Sequence, residues 1–63
     1  MTKKEMIIDI LEHKNWGSQK KFENIINRTM RAKTKKQVAR IYTYYLANET
    51  ESDYNFVVQL LLS

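Results

Sequence analysis

Cysteine and proline are absent from these 63 residues, and glycine and histidine occur once each. Without cysteine there is no disulfide, no zinc-thiolate site and no thiol nucleophile. A lone His13 leaves no room for a histidine-rich metal centre or a histidine-dependent triad. A chain with no proline and only Gly17 is poorly suited to the many tight turns of an all-β fold. No run of about 18 apolar residues exists to span a bilayer; apolar residues come in short runs, such as residues 6–8 and 60–62. The start of the chain, with Lys3, Lys4, Glu5 and Asp9, makes a poor secretory signal, so a cytoplasmic protein without a membrane partner is expected. There is no glycine-rich phosphate loop and no nucleophile constellation. Glu5, Asp9 and Glu12 form an acidic stripe, but nothing in the pattern buries one of them to raise its pKa for acid–base work. The expectation is a protein that is not an enzyme and has no cofactor, no metal and no small-molecule substrate.

What is present is a globular balance: 43% apolar residues and 29% charged, enough hydrophobicity to build a core. A chain this short buries only about 60% of its unfolded surface. With disulfides and metals set aside, self-association is the remaining stabiliser. No repeat, low-complexity tract or linker interrupts the chain, which therefore reads as one helical domain over residues 1–63.

Capping signals divide it into four segments. Thr2 and Glu5 have capping-box spacing and open a helix to about Lys14, after which Gly17 supplies a left-handed stop. Ser18 is an N-cap for a helix to about Arg31. Thr34 and Gln37 form a second capping box, opening a helix to about Ala47 or Asn48. Thr50 with Asp53 is a looser third signal, with Glu51 and Asp53 favourable at a helix N-terminus. At 100° per residue, Met6, Ile7, Ile10 and Leu11 share one arc; Phe22, Ile25, Ile26, Thr29 and Met30 share another; Val38, Ile41, Tyr42, Tyr45 and Leu46 a third. Phe22, Ile26, Val38, Ile41, Tyr45 and Leu46 are the expected core, with Trp16 closing one end. The fold class is therefore all-α, a small bundle of three to four short helices. Residues 54–62 are ambiguous. As a helix they place Tyr54, Val57, Val58, Leu61 and Leu62 on one side and Phe56 and Leu60 on the other; as a strand, Tyr54, Phe56, Val58, Leu60 and Leu62 alternate. A helix is favoured because no other segment offers a strong strand to pair with. Such a helix is either central in the bundle or covered by a second copy.

Charge is unevenly placed. Residues 18–40 hold eight of the eleven Lys and Arg residues against Glu23 alone, so polyanions are the natural partners of this third of the chain. The second and third helices are joined by about three residues, the length of a helix-turn-helix connection, so a helix-turn-helix-like unit is one reading of them. In that reading Lys36, Gln37 and Arg40 face base edges in the major groove, while Lys20, Lys21, Arg28, Arg31, Lys33 and Lys35 hold phosphates. Tyr44 points away from the core one turn after Arg40; one exposed tyrosine is not a stacking platform, so duplex is preferred over single strand. The leading expectation is a small DNA-binding regulator or accessory protein, homodimeric through Phe56 and Leu60. The alternative is a protein-interaction module, an inhibitor or adaptor of the kind mobile elements encode, that docks a partner protein. For His13 a boundary or capping role is expected, and for the acidic stripe a solvated face.

Overall fold

A computed structural model describes residues 1–47 and 50–63. It contains four helices: α1 (Lys3–Leu11), α2 (Gln19–Ala32), α3 (Lys35–Ala47) and α4 (Glu51–Leu62), with no strand among the described residues. The ambiguous C-terminal segment is thus helical. The expected alternative end of α3 at Asn48 lies outside the described residues.

Each start is set by the residue types that suit it. The Thr2 hydroxyl accepts from the Glu5 amide at 3.1 Å while the Thr2 amide donates to Glu5 Oε1 at 2.8 Å, a reciprocal box that satisfies two otherwise free amides. That same contact holds the Glu5 carboxyl below its ordinary pKa. Ser18 Oγ accepts from the Lys21 amide at 3.2 Å. Thr34 and Gln37 repeat the box at 3.2 and 2.8 Å, and Thr50 Oγ1 accepts from the Asp53 amide at 3.2 Å.

One helix end differs from expectation. α1 stops at Leu11, not near Lys14. The Trp16 indole N–H donates to the Leu11 carbonyl at 2.8 Å, and the Lys14 amide reaches the same oxygen at 3.2 Å. A half-buried indole still seeks an acceptor, and the free carbonyls of a helix end supply one. Gly17 is accordingly not the helix stop. It lies beyond the turn, at φ +93°, with its amide donating to Asn15 Oδ1 at 2.9 Å. There it reverses the chain into the Ser18 cap, a conformation that costs a residue with a Cβ.

α1 is the centre of the bundle. Met6, Ile7, Ile10 and Leu11 are all buried, the last three completely. α2 and α3 both pack on α1, and α4 packs on α3. The α4–α1 link is made by Tyr54, whose hydroxyl donates to the Ile10 carbonyl at 2.7 Å. The core adds Ile26 from α2, Val38 from α3 and Val57, Val58 and Leu61 from α4; Phe22, Ile41, Tyr42 and Tyr45 are half-buried against it. Thr29 is the buried polar side chain, satisfied by donating to the Ile25 carbonyl at 2.9 Å. α2 and α3, although joined by two residues, hardly pack on one another, so a helix-turn-helix unit is not established by their contacts.

Leu46 corrects the expected core: it is 62% exposed. It lies in the last turn of α3, beyond Tyr42, which Asp9 meets, and Tyr45, which His13 meets.

The two leucine-sized positions separate cleanly. Ile10→Ala should remove about 2–5 kcal/mol, a large part of the stability of so small a domain. Leu46→Ser should change stability by no more than about 0.5 kcal/mol. Urea melts of both variants check the assignment; an Ile10→Ala protein as stable as the parent contradicts it.

Candidate nucleic-acid interface

The outer faces of α2 and α3 carry the cations. Lys20, Lys21, Arg28 and Arg31 on α2 and Lys35, Lys36 and Arg40 on α3 are all exposed. Among the described residues, none of the seven is within ion-pair distance of a carboxylate; the one such contact joins His13 and Glu12 at 4.0 Å. Neither helix has an acidic residue in its first turn, whereas Lys20 and Lys21 open α2 and Lys35 and Lys36 open α3. Cations there oppose the helix dipole, each at a cost of about 0.3–1 kcal/mol. Free amides and lysines at two helix starts both favour an incoming anion.

Three of the residues assigned from sequence have contacts of their own within the chain. Lys33 is half-buried and its ammonium donates to the Ser63 carbonyl at 2.6 Å. It therefore fastens the α2–α3 corner to the end of α4, a contact that phosphate binding would have to share or displace. Gln37 is exposed, but its amide oxygen accepts from the Thr34 amide in the α3 cap. A bidentate grip on adenine uses that oxygen as well as the nitrogen, so base reading would compete with the cap. Tyr44 is 38% exposed and meets Phe56 of α4 edge-to-face, with ring centroids 5.8 Å apart. Phe56 itself is 47% exposed, and Leu60 is half-buried beside it.

A second polar cluster joins α1 to α3. The Tyr42 hydroxyl donates to Asp9 Oδ2 at 2.5 Å. Asp9 is half-buried, so this member of the acidic stripe joins α1 to α3 and is not simply solvated. That hydrogen bond, followed by partial burial, pushes the Tyr42 phenol up to about 12. Burial raises Tyr45 and Tyr54 as well. His13 lies against these rings, stacked on Tyr45 at 6.1 Å and edge-on to Tyr54 at 6.4 Å, the boundary position anticipated for it. Asp9, Glu12 and His13 each offer a ligand atom, spread over distances up to 4.8 Å. Two ligands of one zinc ion sit at most about 4.2 Å apart, twice the metal–ligand distance, and Glu12 and His13 are exposed. The trio carries no metal assignment. Sequence spacing could not pair Asp9 with Tyr42, 33 residues away.

No protein-family model, no curated protein and no solved structure matches the chain, so its functional reading rests on its own chemistry.

The phenol shifts carry a pH consequence. In the unfolded chain Tyr42 loses its proton near pH 10, whereas in the folded protein it keeps it to about 12. The folded state binds more protons across that window, so stability is intact below pH 10 and falls as pH rises toward 12. In Tyr42→Phe the contribution is missing at neutral pH, and part of the alkaline fall in melting temperature disappears. Absorbance titration at 295 nm should show the latest phenol step of the parent lost in the variant, while the raised steps of Tyr45 and Tyr54 remain.

Proposed function

We propose that the protein binds duplex DNA through the cationic outer faces of α2 and α3, as a homodimer, and acts by binding and not by catalysis. The observation that supports this reading is the set of seven exposed cations without a carboxylate partner among the described residues. Solvated helix faces of ordinary proteins intersperse both signs; here seven exposed cations stand against the single exposed carboxylate of Glu23 on two consecutive helices. The described atoms span 29 × 24 × 20 Å, less than the roughly 34 Å of one duplex turn, so one copy would engage a single half-site. Lys36 and Arg40 are the groove-facing candidates. Lys20, Lys21, Arg28, Arg31 and Lys35 are the phosphate-holding ones. Among the described residues no helix is long and apolar enough to cross a membrane.

The rival reading is a module that docks a partner protein, as an inhibitor or adaptor. It is supported by the exposed Phe56 and would make the cations incidental to function.

Fluorescence anisotropy with labelled random duplex separates the two. If about six phosphates are neutralised per copy, the logarithm of affinity should fall against that of salt with a slope near −5. Lys21→Ala should weaken all sequences alike, whereas Arg40→Ala should relax sequence preference. No measurable binding at low salt ends the DNA reading and favours the docking module.

A further inference from the structure

The outer face of α4 has a property that no other helix shares. Ser52, Asn55, Phe56, Gln59 and Ser63 recur at three- and four-residue spacing and are exposed, which puts them on one side of the helix. None of them is charged, in a chain where 29% of residues are. The acidic residues of α4 lie elsewhere. Asp53 is turned into the cap, where its carboxylate accepts from the Thr50 hydroxyl at 2.6 Å, and Glu51 lies on the flank. Ser52, Asn55, Phe56 and Gln59 also line a shallow groove, bordered by Lys14. That lysine's ammonium is drawn 4.9 Å over the Trp16 ring.

We infer that this face is where two copies of the chain pair, α4 against α4 about a two-fold axis. Phe56 of each copy would lie in the groove of the other, and Tyr44 would form the rim. The occupant follows from electrostatics. Each copy carries +4 overall, with the unpaired cations on α2 and α3, so approach by those faces brings like charges together. The outer positions of α4 add no like charge of their own, and Lys14, the cation among the groove-lining residues, is held over Trp16. A two-fold contact sets a surface against itself, which a neutral surface tolerates and a cationic one does not. Aromatic residues enriched and charges depleted at the centre, with polar groups around them, is the composition of an interface core. A partner protein chosen by charge would instead be expected to meet the basic or acidic faces.

The size of the face limits its strength. A 12-residue helix is about 18 Å long, so the pairing belongs at the small end of specific interfaces, below about 1,200 Å² in total. Association in the range of tens to hundreds of micromolar is expected. It requires no nucleic acid. It supplies the dimer of the DNA-binding reading, yet the two can fail independently.

The experiment uses the protein without nucleic acid. Sedimentation equilibrium from 10 µM to 1 mM should show a rise from monomer towards dimer mass. Phe56→Glu should shift the midpoint at least tenfold to higher concentration, while its helical circular dichroism stays unchanged because Phe56 is not part of the buried core. Since the chain has no cysteine of its own, single-cysteine variants locate the contact. Gln59→Cys should cross-link to its own copy under mild oxidation, and Asn24→Cys, on the exposed face of α2, should not. A monomer throughout the range overturns the inference, as does a dimer that cross-links through Asn24→Cys in preference to Gln59→Cys. A dimer insensitive to Phe56→Glu overturns it too.

Discussion

The burial of one face of α1 is the constraint on which the bundle depends. α1 has only nine residues, too few to be stable alone, because a helix of that length does not repay its nucleation cost. It exists because Ile7, Ile10 and Leu11 are wholly enclosed and Met6 nearly so. Each such side chain contributes roughly 1.5–3 kcal/mol when fully removed from water. The longer helices α2, α3 and α4 arrange themselves around this short one. α2 and α3 touch α1 more than they touch each other, which is why a sequence pair that resembles helix-turn-helix need not behave as a unit.

Polar contacts then fix the angles that apolar burial leaves loose. Lys3 donates to the Met30 carbonyl at 2.5 Å, closing the C-terminal end of α2 against the start of α1. Lys33 reaches Ser63, Tyr54 reaches Ile10 and Tyr42 reaches Asp9. These four bonds join elements far apart in sequence, and two of them use lysines that a charge map counts as surface cations. Their removal from the pool of free cations leaves the exposed positive charge on α2 and α3 more sharply confined than composition implies. The cations of α2 and α3 support the duplex reading, and the uncharged outer positions of α4 support the pairing reading.

Much of this was present in the linear chain. Side-chain chemistry close in sequence determined the starts of all four helices, because a capping hydroxyl and the amide it serves are three residues apart. The 3.6-residue period determined which positions of α1 face inward, and the run of lysines and arginines from 18 to 40 determined the sign of the middle third. Tertiary structure alone decided the rest. It ended α1 at Leu11 by bringing in Trp16, left Leu46 exposed, tied Lys33 to Ser63, and set Phe56 beside Tyr44. A periodic pattern states which side of a helix is apolar. Whether another helix is long enough, and near enough, to cover that side is a property of the assembled bundle.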